Sequence, residues 1–283
     1  MDLLQLKYFS DAAKSQNFSS TAKKFGVPGS DISQTISRLE KEVGCKLFHR
    51  SANRIFLNEK GSAFAEKIQT ALECIEDASR IAHDSGEDIS GEVRLLTCTN
   101  RRLVTNAIDL FRKKYPSVSF VLSHSDTGEN NYDLVISDDL RKFSEYEKEL
   151  FAQEDILLAY SNDCDLPNLK TEGVRALAGQ KFITMPPGSS LYRITKEICE
   201  SNGFTPNIAV IGDDPYYLRK YISMGLGVAF VPSVSWEGQF DSNVNFYEQS
   251  LGKRKTYIFS NSSRYMTRGV TEFKRMLLES AVK

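Results

Sequence analysis

The chain has 283 residues, of which 41% are apolar and 26% are charged, and its formal net charge is -1. This composition is ordinary for a soluble globular protein and allows two domains or one large α/β domain. No apolar run approaches the roughly 18 residues of a membrane span, and the N-terminus lacks the order of a signal peptide, so we expect a cytoplasmic protein.

The cysteines and histidines argue against a disulfide framework and against a metal site. The five cysteines are odd in number and are never spaced as CxxC, and the three histidines lie far apart. The sequence also has no nucleophile elbow, P-loop or metal-ligand spacing, which makes an enzyme the least favoured class. We therefore expect no catalytic residues and no cofactor.

The charge is distributed unevenly along the chain. Residues 1–60 contain ten basic and six acidic residues, a net charge of +4, and the remainder must carry about -5. A modestly basic module therefore precedes a modestly acidic one. This order is typical of a nucleic-acid reader followed by a domain of another kind.

The first 58 residues predict a winged helix-turn-helix. Apolar stripes indicate a first helix around Phe9, a short second helix begun by Asn17 or Ser19, and a longer third helix begun by Ser30 or Asp31. The third helix buries Ile32, Ile36, Leu39 and Val43 and turns a polar face outward. The segment 47–57 then predicts two brief strands around Ser51-Ala52-Asn53, the wing.

A long helix over 59–84 is expected to follow, begun by Asn58. One apolar stripe runs along it: Phe64, Ile68, Leu72 and Ile75. This stripe packs either on its own domain or against the same helix of a second chain, and we favour the second alternative. The segment HDSGEDISGE (83–92) is the best linker in the sequence, with the hinge at 85–90.

Residues 91–283 predict alternating strands and helices in two open α/β lobes with a cleft between them. The first lobe is expected over about 91–158 and 255–283, and the second over about 159–254. Strands are predicted at VRLLTCT, VSFVLS, YDLVIS, DILLAY, KFITM, IAVIG, VAFVP and KTYIFS, and helices at LVTNAIDLFRKKY, SSLYRITKEICESNG, PYYLRKYISMG and MTRGVTEFKRMLLES.

Several of these segments together resemble the LysR-type transcriptional regulators. They are DLLQLKYFSDAAKSQNFSSTAKKFGV, ISQTISRLEKEVGCKLFHR, LNEKG, ALAGQKFITM and MGLGVAFVPS. The resemblance implies a winged helix-turn-helix, a dimerising linker helix and a two-lobed effector-binding domain related to periplasmic binding proteins. The partners it implies are double-stranded DNA, a small-molecule effector that we expect to be anionic, further copies of the chain as a dimer or tetramer, and RNA polymerase.

Candidate DNA contacts follow from this fold, because the N-terminal part of a recognition helix lies deepest in the major groove. The residues expected at base edges are Ser30, Asp31, Ser33 and Gln34. Ser19 and Ser20 can offer hydroxyl and backbone donors to phosphate, while Arg38, Arg50 and Arg54 supply charge. For Asp31 the alternative is helix capping, and for Arg38 it is an ion pair with Glu42.

The chain departs from the family pattern at four places. Gly29 stands where the family usually has a glutamine that reaches into the groove, and Gln34 stands where it often has arginine. At the wing, Asn53 replaces an arginine that commonly enters the minor groove. Between VSFVLS and YDLVIS, the short segment 124–131 leaves little room for the helix that the family carries there.

Candidate effector contacts lie at two places in the second domain. Thr97, Cys98, Thr99 and Asn100 follow the first strand, where the resemblance places cleft contacts. Ser189 and Ser190, at the start of a helix, can hold an anion, or they only cap that helix. Gly225 and Gly227 are interpreted as a tight turn. A redox role for Cys98 is not favoured, because nothing near it in the sequence lowers the pKa of its thiol.

The sequence thus favours a sequence-specific transcriptional regulator that senses a small molecule. The rival is a small-molecule receptor whose DNA-binding domain has become degenerate and no longer selects sequence. Equal affinity for random and upstream DNA would distinguish this rival, because only phosphate contacts would survive in it.

Overall fold

A computed structural model describes residues 1–51, 54–84, 88–126 and 132–280 of the chain. The chain divides into two compact units, Met1–Ser85 and Gly86–Lys283. Among the described residues, no helix is both long and apolar enough to cross a membrane.

The N-terminal unit is a winged helix-turn-helix followed by a long helix, as predicted. Its elements are α1 (Leu3–Ser15), α2 (Phe18–Phe25), α3 (Gly29–Val43), β1 (Phe48–Ser51), β2 (Arg54–Leu57) and α4 (Glu59–His83). Asn17 caps α2 and Asn58 caps α4, each through a side-chain oxygen that accepts from backbone amides of the first turn. The strands β1 and β2 pair antiparallel.

The core of this unit is built around Phe9, which is fully buried. Its ring meets the ring of Phe48 on the wing at 5.5 Å and that of Phe64 on α4 at 5.1 Å. Ile68 is buried in the same core and Leu72 packs against it, whereas Ile75 is 49% exposed. Phe64, Ile68 and Leu72 therefore pack on their own domain, as one alternative predicted, and the pairing of this helix with that of a second chain stays a prediction.

A buried carboxylate fixes the end of α3 to the base of the wing. Glu40 accepts from the amides of Leu47 at 2.9 Å and Phe48 at 3.3 Å, and from Lys46 Nζ at 2.7 Å. Burial raises the pKa of Glu40, but these hydrogen bonds outweigh it and hold the pKa below its ordinary value. The carboxylate thus stays charged and ties the third helix and the wing together.

The C-terminal unit contains alternating strands and helices, and its fold class agrees with the prediction. Its elements are β3 (Gly91–Thr97), α5 (Arg101–Lys114), β4 (Val118–Ser123), β5 (Leu134–Ser137), β6 (Glu147–Ser161), α6 (Leu169–Glu172), a 3-10 helix (Val174–Gly179), β7 (Lys181–Thr184), α7 (Ser190–Ser201), β8 (Asn207–Ile211), α8 (Pro215–Ser223), β9 (Ala229–Pro232), β10 (Val244–Ser260) and α9 (Arg268–Glu279).

Two long strands connect the two lobes of this unit. The larger sheet has the order β4-β3-β5-β10-β6-β9, and β7 pairs with β8 in a second sheet. Ala152 of β6 and Ile258 of β10 lie in the core of the first lobe, whereas Ile156 of β6 and Val244 of β10 lie in the core of the second. Because β6 and β10 pass through both lobes, their middle residues form a hinge between the lobes, which is distinct from the predicted hinge at 85–90.

The predicted strands DILLAY and KTYIFS were too short at their N-terminal ends. β6 begins at Glu147 and β10 at Val244, so each strand is much longer than its apolar segment. The first four residues of β6 are exposed, which removes the alternation that would have marked them as strand. The segment 124–131 falls largely on residues 127–131, which lie outside the described part, so the reduced helix there stays a prediction.

Candidate DNA-reading face and effector cleft

The outward face of α3 is polar and open. Its inward residues Ile32, Ile36 and Leu39 are fully buried. The opposite face forms a shallow depression of about 290 Å³, lined by Ser33, Gln34, Ser37, Arg38 and Lys41. Uncharged hydrogen-bonding groups therefore lie near the start of this face and cations lie farther along the helix.

The start of α3 differs from the prediction. Its N-cap is Pro28, which makes no side-chain capping bond, and the helix begins at Gly29. Ser30 and Asp31 are therefore not caps: they lie in the first turn, where the Ser30 hydroxyl donates to the Asp31 carboxylate at 3.1 Å. A Cβ atom at Gly29 would meet no atom within 4 Å, so the fold does not require glycine at this position.

The second helix offers fewer donors to phosphate than expected. Asn17 Oδ1 accepts from the amides of Ser19 at 2.9 Å and Ser20 at 3.1 Å, so these amides are already bonded. The two serine side chains are exposed, and their hydroxyls remain available to a phosphate. The predicted role of the backbone donors is thus replaced by the capping bond of Asn17.

The basic residues of the module have different surroundings. Arg38 is exposed and its Nη2 lies 3.4 Å from Thr35 Oγ1, while Glu42 pairs with the N-terminal ammonium of Met1. The alternative ion pair of Arg38 with Glu42 does not form among the described contacts. Arg50 and Arg54 lie in β1 and β2, and Asn53 lies outside the described residues.

A cleft of about 680 Å³ lies between the two lobes of the C-terminal unit. Five of the six predicted effector contacts line it: Cys98, Thr99, Asn100, Ser189 and Ser190. Thr97 does not, since it is 1% exposed within β3. A volume of this size accommodates a small organic molecule.

The cleft is lined by the first residues of three helices, and only some of these helix starts are capped by side chains. Ser189 caps α7 by accepting from the Tyr192 amide at 3.2 Å, and Asp214 caps α8 by accepting from Tyr216 at 2.7 Å. The N-cap of α5 is Asn100, with φ 54°, and it makes no side-chain capping bond. The structure therefore shows Ser189 as the cap of α7, which was the alternative to anion binding.

Asn100 instead faces a buried ion pair. Arg254 Nη2 lies 3.0 Å from Asn100 Oδ1 and 2.6 Å from Glu154 Oε1, and it also lies 2.8 Å from Ser235 Oγ. Arg254 and Glu154 are each 5% exposed. The oxygen of the Asn100 carboxamide is thus occupied, while its Nδ2 is buried and has no hydrogen-bond partner among the described atoms.

Comparison with known proteins assigns both units. Residues 3–62 match the bacterial regulatory helix-turn-helix proteins of the lysR family, and residues 86–282 match the LysR substrate binding domain. The chain belongs to the LysR family. It is therefore a DNA-binding transcriptional regulator with an effector-binding domain, as the resemblance implied.

Individual relatives of this LysR-family chain are distant but cover most of it. The transcriptional dual regulator GltC of Bacillus subtilis is 26% identical over 242 residues, which is 82% of this chain and 81% of GltC. YybE of the same organism, an HTH-type transcriptional regulator, is 24% identical over 83% of each chain. The crystal structure of CbnR, a LysR family transcriptional regulator, has 19% identity and a TM-score of 0.66 and covers 100% of both chains.

Cys98 lies in the cleft of this regulator but is poorly suited to sense oxidants. Burial raises the pKa of its thiol above the ordinary value, although a hydrogen bond with Ser137 acts in the opposite direction. A thiol with a raised pKa carries little of the reactive thiolate at neutral pH. The raised pKa therefore argues against a redox role for Cys98.

Sequence reasoning missed the charged residues that the second half of the domain brings to the cleft. Arg254, the partner of the buried Glu154, is one example; Arg219, whose guanidinium lies 5.2 Å from the Trp236 ring, is another. Burial lowers the pKa of Arg219 below its ordinary value. The run Lys253–Lys255 was the available signal, because it places three cations where the predicted strand KTYIFS begins.

Proposed function

We propose that this LysR-family regulator reads its operator with the outward face of α3 and that a small anion in the cleft changes its action on transcription. The observation that carries the DNA half is the open polar face of Ser33, Gln34, Ser37, Arg38 and Lys41 on the second helix of the helix-turn-helix. This helix enters the major groove in proteins of this architecture.

Gln34 is the residue best suited to select a base. Its carboxamide can form paired hydrogen bonds with adenine N6 and N7, which are worth roughly 1 to 3 kcal/mol of discrimination. Ser30 and Ser33 stand beside it and supply hydroxyls. Because Gly29 contributes no side chain, discrimination among DNA sequences depends on these residues, on Asn53 of the predicted wing and on the shape of the DNA.

Phosphate contacts are assigned to the cations and hydroxyls at the edges of the same face. Arg38, Arg50 and Arg54 supply charge, and Ser19 and Ser20 supply hydroxyls. Such contacts position the protein on the duplex without reading its sequence.

The effector is proposed to be an anion such as a carboxylate. The start of α5 supports this, because its first amides have no side-chain cap and the helix dipole favours negative charge there. Asn100 Nδ2 adds a buried donor without an acceptor. Thr99 and Ser190, which also line the cleft, add hydroxyls.

We further propose that the protein acts as a dimer or tetramer in the cytoplasm and contacts RNA polymerase. Ile75 and Ile81 of α4 are 49% and 51% exposed, and exposed apolar side chains of this kind are stabilised by burial against a second copy. A dimer presents two recognition helices to two half-sites of an operator.

Electrophoretic mobility shifts at several salt concentrations test the DNA half. Arg38→Ala is expected to weaken binding to all duplexes alike and to reduce the salt slope of log affinity by about 1 per subunit, since one phosphate contact is lost. Lys113→Ala, which removes the same charge from an exposed position on α5, should leave the slope unchanged. A wild-type slope for Arg38→Ala would exclude the proposed contact.

A further inference from the structure

An ion pair occupies the hinge between the two lobes. Arg254 and Glu154 are direct partners in the register of β10 and β6. On β6, Glu154 lies between Ala152, in the core of the first lobe, and Ile156, in the core of the second. The pair is therefore placed where a change in the angle between the lobes would have to bend the strands.

The pair contacts both lobes. On the first lobe, Arg254 donates to Asn100 Oδ1 at 3.0 Å. On the second lobe, it donates to Ser235 Oγ at 2.8 Å, and Glu154 accepts from the amides of Val234 at 3.1 Å and Ser235 at 2.8 Å. One buried network thus joins the start of α5 to the turn that follows β9.

A second connection links the same two places. Arg102, in the first turn of α5, donates to the carbonyl oxygen of Val234 and pairs with Glu237 at 3.5 Å. Trp236, which lies between Val234 and Glu237 in the sequence, is packed in the core of the second lobe. The turn 234–237 is therefore packed with the second lobe. Arg102 and Arg254 both connect it to the start of α5.

The contact with Arg254 determines how Asn100 presents its side chain. A guanidinium only donates hydrogen bonds, so the carboxamide must turn its oxygen to Arg254 and its Nδ2 away from it. Asn100 is 4% exposed and lines the cleft, and its Nδ2 has no partner among the described atoms. A buried donor without an acceptor is costly, and an oxygen of a bound ligand would satisfy it.

We propose that Arg254 and Glu154 form a positioning pair: they orient Asn100 so that its Nδ2 donates to a carboxylate in the cleft, and they connect the occupied site to the turn 234–237 of the second lobe. This inference rests on the proposed function of the cleft. A lysine cannot replace Arg254 in this role, because its single ammonium lacks the planar fork that reaches several acceptors at once.

Isothermal calorimetry of the full-length protein with acetate, succinate, benzoate and L-glutamate as probes tests the site. Asn100→Asp keeps the oxygen that faces Arg254 but replaces the donor with an acceptor. It is expected to weaken binding of the acid at least about tenfold, since a charge-assisted hydrogen bond is lost. Asn106→Asp, the same change at an exposed residue of the same cleft, is the matched control and should retain binding.

Arg254→Lys tests the connection to the second lobe while keeping the positive charge beside Glu154. We expect weaker binding of the acid, again by about tenfold, and loss of the change that the acid causes in hydrogen exchange of the 234–237 amides. A residue that only stabilises the fold would shift the melting temperature and leave this acid-dependent exchange in place.

The outcomes separate the inference from the function on which it rests. If the wild type binds an acid and Asn100→Asp or Arg254→Lys binds it equally well, the positioning pair is wrong and the effector cleft stands. If none of the four acids binds the wild type, the carboxylate assignment fails together with this inference.

Discussion

Replacing Arg254 with methionine is expected to lower the free energy of unfolding of the effector domain by about 3 to 5 kcal/mol. Methionine fills much of the volume but donates no hydrogen bond. The Glu154 carboxylate then stays buried without its cation, held only by the amides of Val234 and Ser235. The large cost comes from this unpaired charge more than from the lost attraction.

Urea unfolding followed by tryptophan fluorescence measures this loss. Trp236 is the one tryptophan of the sequence and packs in the core of the second lobe, so its emission reports on this domain. The double variant Glu154→Gln with Arg254→Met removes the unpaired charge and should recover a large part of the stability. A wild-type urea midpoint for Arg254→Met alone would show that the ion pair does not stabilise the effector domain.

Gly61→Ala is expected to destabilise the N-terminal unit by about 3 kcal/mol or more, because the added methyl group overlaps the backbone. A Cβ atom at Gly61 would lie 2.0 Å from the carbonyl oxygen of Leu47, just before the wing. That oxygen also accepts from the Asn58 amide at 3.0 Å, and Asn58 caps α4. The start of α4 would have to move away from the wing.

Hydrogen exchange measured by mass spectrometry distinguishes this local effect from changes in the effector domain. The amides of α3 and α4 should exchange faster in Gly61→Ala, while those of β6 and β10 should not change. Gly29→Ala is the matched control, since nothing lies within 4 Å of its added carbon and alanine favours the helix. Equal protection of Gly61→Ala and wild type would contradict the close approach.

Much of the fold could be predicted because the signals are local. The apolar stripe of α3, the caps at Asn17 and Asn58 and the short strands on either side of residues 52–53 each occupy a few consecutive residues, and the structure places helices and strands there. The predicted start of α3 was wrong. Pro28 is the N-cap and makes no side-chain capping bond, and Ser30 and Asp31 lie inside the first turn instead of capping it.

The effector site could be predicted only in part, for the opposite reason. Cys98, Thr99 and Asn100 follow a strand directly, and the resemblance marks such a place. Arg254 and Glu154 are 100 residues apart and meet only because β10 pairs with β6 in this register. No local pattern encodes that pairing, and polar residues in a strand are ordinarily read as solvent-facing.

DNase footprinting on the DNA upstream of the gene, with and without the four acids and in excess random DNA, tests the central claim most directly. We predict a discrete protected region with two half-sites that survives the random competitor and changes in extent when an acid binds. Protection that random DNA erases, and that no acid alters, would contradict both the reading face of α3 and the effector cleft.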